Sequence, residues 1–337
     1  MIQRSRNRLR CVGLLVIFWL AAFVPLNADP VGEIGSFSLF KEVDFSRLAK
    51  GEVLAERAPP MTFPRGLSAQ FCFLAPKGLQ ETVELLKNFN PSQHPELNIY
   101  LFSNISSPAP NDFSKLKSAP NNEPVRAFAR AMVKRQGSGL QMSAAEEKLL
   151  GNFADRGGAG VLSPDVCAFW SGILLRRATD FLAGGLSRQP PYADSIRASE
   201  EAAALLKEQE KIQARFAPLT AMLDEGGGNP ALYWEMFDVE GKAALSLGAS
   251  YWRRNGGGWQ SMDAEYYCSG GYYVYLSFME LWPVKMGTQP ATLVWRGDIL
   301  SSATVGTLRG IERSIAANLL IKDVRRNTAA LMKDTSR

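Results

Sequence analysis

The sequence predicts an α+β fold: a curved antiparallel sheet closed by a long C-terminal helix, with a helical region inserted into it. Three observations predict it. Several strand-like runs lie between Ala231 and Leu300. One long amphipathic pattern follows them, from Thr304 to Leu331. An early strand, helix and strand stand apart from those runs, separated by about 120 residues of helical pattern.

The first 28 residues read as a secretory signal. Arg4, Arg6, Arg8 and Arg10 precede an uncharged apolar stretch from Cys11 to Val24. Pro25-Leu26-Asn27-Ala28 then ends on a small residue suited to cleavage. The apolar stretch falls short of the ~20 residues a spanning helix needs. The expected location is therefore outside the cytoplasm, periplasmic or secreted. The whole chain carries 38 basic and 33 acidic residues, net +5. Removal of the four arginines leaves +1, which excludes the basic-surface case for nucleic acid.

Residues 29–65 form an N-terminal segment, with a short helix near Phe45 and a short strand ending at Arg57. Leu67 to Ala75 alternates cleanly. Leu67, Ala69, Phe71 and Phe73 share one face, and Ser68, Gln70 and Cys72 the other. This is the pattern of a half-buried antiparallel strand. Pro76 opens a helix to about Phe89, and Asn98 to Phe102 reads as a second strand.

From 108 to 230 the pattern turns helical: Val125–Lys134, Ser143–Phe153, Pro164–Leu182 and Ser195–Phe216. Ser143 and Glu146 have capping-box spacing, and Ser163-Pro164-Asp165 is a helix start. After Pro230 strands resume. Leu245, Leu247 and Tyr251 alternate with smaller or polar residues. Asn255-Gly256-Gly257-Gly258 is a turn, and Trp259–Ser269, Tyr272–Trp282 and Ala291–Leu300 are further strands. Phe278 and Trp282 share a face, as do Leu293 and Trp295. The last helix carries Leu308, Ile311, Ile315, Leu319 and Val324 as the stripe expected to dock on the sheet.

No catalytic signature stands out. His94 is the single histidine, so any Ser-His-Asp or Cys-His system would rest on it alone. No G-x-S-x-G elbow occurs. Cys72, Cys167 and Cys268 lack metal-ligand spacing, and neither Gly-rich stretch fits a phosphate loop. No metal or cofactor is implied. Arg296, Asp298, Arg309, Glu312 and Arg313 read as a solvated charged face; the alternative is that Arg296 pairs with Glu312 and ties the last strand to the closing helix.

The order strand, helix, strand, antiparallel run and long closing helix resembles the START-like (SRPBCC, helix-grip) superfamily. The Ala75-Pro76 strand end and the Phe89-Asn90-Pro91 turn are similar to the opening of those domains. The grip then comprises residues 66–107 and 231–337, interrupted by the insertion at 108–230. The resemblance implies a cavity that binds a hydrophobic small molecule or lipid. The residues expected to line it are Phe71, Phe73, Leu245, Leu247, Tyr251, Phe278, Trp282, Leu293 and Trp295 from the sheet. Leu308, Ile311 and Ile315 would line it from the helix. Two alternatives remain open. One is an envelope interaction protein with a filled core, whose inserted helices bind a protein partner. The other is a cavity enzyme of hydrolase or cyclase type, marked by Asp263, Glu265 or His94 pointing inward.

Overall fold

Period-two patterning and period-3.6 patterning place two helical layers on opposite faces of one sheet. The computed structural model describes residues 29–335, apart from 135–138, 154, 156, 157, 159 and 226. The secretory-signal reading falls on residues 1–28, outside the described residues. The strands are β1 (Leu54–Arg57), β2 (Gly66–Ala75), β3 (Ile99–Ile105), β4 (Ala231–Val239), β5 (Lys242–Asn255), β6 (Gly258–Cys268), β7 (Val274–Met286) and β8 (Gln289–Ser301). They form one curved, unclosed antiparallel sheet in the order β1-β2-β8-β7-β6-β5-β4-β3. Gly256 sits at φ +55° in the two-residue turn between β5 and β6, a conformation glycine adopts without steric cost.

The first helices are α1 (Pro30–Phe37), α2 (Phe45–Leu48) and α3 (Leu79–Lys87). The insertion supplies α4 (Glu123–Lys134), α5 (Ala144–Gly151), α6 (Pro164–Gly184), α7 (Ala198–Glu208), α8 (Glu210–Arg215), α9 (Ala217–Thr220) and α10 (Met222–Glu225). The chain ends in α11 (Ala303–Thr307) and α12 (Gly310–Thr335). The closing helix is therefore broken where one helix from Thr304 was expected. Gly310 takes φ +50°, which a continuous helix cannot accommodate. Among the described residues, no helix is long and apolar enough to cross a membrane.

β2 is buried along its whole length, which corrects the half-buried expectation. Its two faces meet two layers. Leu67, Ala69 and Phe71 pack against Ala317, Leu320 and Val324 of α12. On the other face, Cys72 and Leu74 join the core shared with the insertion. Trp170 and Phe181 of α6 and Phe216 after α8 anchor that core. Phe216 lies 5.1 Å from Phe278 and 5.8 Å from Trp295 between ring centroids. Phe181 stacks on Tyr266 at 3.9 Å. Each fully buried side chain of this size contributes roughly 1.5–3 kcal/mol. The insertion is thus a layer sharing one core with the sheet.

Buried ion pairs pin that layer. Ser143 and Glu146 form the expected capping box at the start of α5. The same Glu146 carboxylate takes Arg177 of α6 in two bonds of 2.8 and 2.6 Å. Arg177 also lies 4.0 Å from the Tyr267 ring centroid. Glu201 of α7 holds Arg65, at 2.9 and 2.6 Å, beside the start of β2.

The docking stripe of α12 is Ala317, Leu320, Val324 and Leu331. The stripe expected from Leu308 to Val324 is displaced, because Ile311, Ile315 and Leu319 are exposed. Small residues at 316 and 317 let the helix approach β2 closely, and that contact rotates the bulkier side chains outward. His94 is buried and its Nε2 lies 3.0 Å from Asp334 near the end of α12. It stacks on Phe89 at 5.2 Å. His94→Ala is expected to cost about 1–2 kcal/mol by urea denaturation. An unchanged midpoint would show that this tie contributes nothing.

Candidate functional site

The face of the sheet beneath α12 is not uniformly apolar. Reading across the paired strands, Gly248, Glu265, Tyr275 and Leu300 form one row. Ser250, Asp263, Ser277 and Asp298 form the next. Glu235 of β4 pairs with Ser246 on the same side. Four carboxylates thus point between sheet and helix. A bulge creates part of this arrangement. Tyr267 lies opposite Leu247 and Glu265 opposite Gly248, leaving Tyr266 as the extra residue. Tyr266 and Tyr267 both enter the rear core, while Glu265 and Asp263 keep the face beneath the helix. Gly248 has a steric role: a Cβ there would fall 2.1 Å from Tyr233 Cζ, so only glycine lets that ring lie across β5.

Two adjoining chambers occupy the space. The larger is about 720 Å³ and runs under the first half of α12. Leu67, Ile99, Leu300, Val305, Leu308 and Leu320 give it much of its apolar wall. The smaller is about 450 Å³ and contains the acidic floor, with Glu235, Asp263 and Glu265 in its wall. Tyr275, Arg296 and Asn327 border both. None of the described residues from 108 to 225 lines either chamber. The insertion covers the back of the sheet.

Among the described residues, only one of the four carboxylates has a cation of its own. Arg296 grips Asp298 with two bonds of 2.8 and 2.9 Å, and Asp298 is fully buried. Tyr275 donates to the same Asp298 at 2.5 Å. Among the described residues the alternative Arg296–Glu312 pair does not form, and Arg296 and Asp298 are enclosed rather than part of a solvated face. Arg296 instead reaches α12 through Asn327, at 3.4 Å, because the fixed geometry of its guanidinium is already committed to Asp298. Glu265 accepts a hydrogen bond from Tyr272. Burial pushes the Asp263 carboxyl up to about 6, with Ser250 and Arg296 opposing. Burial likewise pushes Glu265 up to about 7 and raises Glu235 well above the usual carboxylate range. Desolvation disfavours the charged form of each, and their mutual repulsion adds to it.

The expected lining residues divide. Phe73 borders the smaller chamber, and Leu308 and Ile315 border the larger. Tyr251 borders the smaller chamber while packing in the rear core. Phe71 lies under α12 in the apolar contact itself and lines neither chamber. Leu245, Leu247, Phe278, Trp282, Leu293 and Trp295 sit in the rear core with the insertion, not beneath the closing helix. Ile311 is 80% exposed. The reason is common to these corrections. The most apolar strand faces meet the larger helical layer, and the helix-facing side carries the polar groups. The groups missed were Tyr233, Glu235, Ser277 and Thr328. Their available signal was the alternation of carboxylates with apolar residues, as in Met262-Asp263-Ala264-Glu265.

No family model matches the chain, and no curated protein matches it.

Proposed function

We propose that this protein is a START-like, helix-grip carrier that binds an amphipathic small molecule or lipid between its sheet and closing helix. The observation that carries the reading is the pair of adjoining chambers beneath α12: the larger is lined by Leu67, Ile99, Leu300, Val305 and Leu308 beside charged groups such as Asp238, Glu312 and Asp323, and the smaller has an acidic floor. Their size and mixed lining suit a ligand with an oily body and a polar head. The strand order β2-β8-β7-β6-β5-β4-β3 with α12 packed across β2 supports the resemblance. The basic and apolar pattern of the first 28 residues supports carriage in the cell envelope.

Organic extraction and mass spectrometry of the purified protein test the reading. A bound amphiphile is expected, and its repeated absence together with no stabilisation by added lipids would sink the proposal. Leu300→Trp, which adds bulk at the wall of the larger chamber, is expected to weaken capture at least about tenfold. The melting temperature should stay within a few degrees. Unaltered capture by this variant would place the ligand elsewhere.

A second reading, an enzyme of hydrolase or cyclase type, is favoured by Asp263 and Glu265. Both line the chamber, and carboxyls held near neutrality suit proton transfer. The extracted ligand discriminates: recovery unchanged after incubation supports carriage, and a transformed product supports catalysis. The open chambers weigh against a filled-core interaction protein.

A further inference from the structure

The smaller chamber holds more carboxylate than its own cations neutralise. Arg296 is committed to Asp298. Lys87 of α3 also lines the chamber, but its ammonium sits 4.8 Å from the Trp259 ring centroid and 4.0 Å from Glu84. Among the described residues, no salt bridge reaches Glu235, Asp263 or Glu265. A second, separate observation points the same way. Ser277 and Thr328 line this chamber and are 4% and 1% exposed, and among the described residues their hydroxyls have no hydrogen-bond partner. They lie on opposite walls, one on β7 and one on α12. A buried hydroxyl normally has a partner, so both carry unused hydrogen-bonding capacity at the chamber wall.

The donor is an organic cation on this geometry. Among the described residues, no three His, Cys, Asp or Glu side chains come together closely enough to hold a metal ion. Tyr233, Trp252 and Tyr275 line the same space, and aromatic rings attract ammonium groups to their faces. We propose that the smaller chamber binds a primary ammonium head group, with the apolar body of the ligand in the larger chamber, within the carrier function proposed above. An –NH₃⁺ group brings three donors and one charge. Carboxylates that lack a cation and hydroxyls that lack a partner take them.

Binding is linked to protons. The carboxyls concerned face Tyr233 of β4, Tyr272 before β7, Tyr275 of β7, Arg296 and Asp298 of β8, and Lys87 of α3. From α12 they face the uncharged Asn327 and Thr328. Asp263 and Glu265 are pushed up to about 6 and about 7 by burial. An ammonium group favours their charged forms, so its arrival expels protons near neutral pH. The amine itself is already protonated there and releases none.

Calorimetric titration of the purified protein with decylamine, decanol and decanoate tests the assignment. At about pH 8, decylamine is expected to bind at least about tenfold tighter than either of the others. At about pH 6.5, heats in two buffers of different ionisation enthalpy should report proton release. The double variant Asp263→Asn, Glu265→Gln should keep decanol binding and lose the amine preference. Decanol or decanoate equalling decylamine in the native protein would overturn the ammonium assignment and leave the carrier reading standing. Absence of proton release would also overturn the assignment. Failure of all three ligands to bind would overturn both.

Discussion

Arg296→Met should destabilise the protein by about 3–5 kcal/mol. The expected loss comes from what remains. Asp298 is fully buried in β8 and takes both bonds of the guanidinium. Without it, Asp298 keeps, among the described residues, only Tyr275 as a side-chain donor, and its buried carboxylate is left without a cation. Arg296 also reaches α12 through Asn327, so the sheet loses one polar contact with its closing helix. The double variant Arg296→Met, Asp298→Leu removes the stranded charge with the cation and should recover most of the loss. Denaturant titration of the single and double variants checks this. A single variant within about 1 kcal/mol of the native protein would mean that water reaches Asp298 and the pair is not truly buried.

The second large effect is a loss of stability as pH rises. Asp263 moves from an ordinary value of 3.8 up to about 6, through burial. An acid whose folded pKa is raised holds its proton more tightly when folded. Its stabilising contribution is complete below the ordinary value and is lost as pH climbs through about 6. At 1.36 kcal/mol per unit, Asp263 alone amounts to about 3 kcal/mol. Glu265, raised by burial from 4.5 to about 7, acts in the same direction. The ligand-free protein should therefore be more stable near pH 5 than near pH 8. Asp263→Asn should remove about a third of that slope, roughly 1–1.5 kcal/mol between the two pH values, because an amide carries no charge to desolvate. Denaturant titrations of both proteins at the two pH values measure it. Parallel pH profiles for native protein and variant would show that Asp263 is solvated in the folded state.

Much of the architecture is legible from local pattern. The alternation in Leu67–Ala75 marks β2, and Ser163-Pro164-Asp165 marks the start of α6. The Ser143–Glu146 spacing marks the cap of α5. These signals work because caps, turns and strand periodicity are set within a few residues by backbone sterics and hydrogen bonding. The candidate site is much less legible. Parity groups Leu245 with Leu247 and Leu293 with Trp295, but it carries no label for which face meets α12. The usual rule sends apolar faces inward and charged faces to water. That rule misleads here because both faces are covered. Asp263 and Glu265 look like solvent-facing residues in β6 and are enclosed by Asn327, Thr328 and Leu331 of a helix that lies far along the chain.

By itself, the sequence determined the class of fold, the antiparallel run and the terminal helix. These follow from periodicity and turn chemistry, which are local. Only the tertiary structure decided that α12 lies over the charged side of the sheet and the insertion over the oily side. It also decided that Arg296 answers Asp298 and that Glu235, Asp263 and Glu265 share one chamber. Those outcomes depend on which layers compete for each face and on strands brought together across long stretches of chain, quantities that no short window of residues contains.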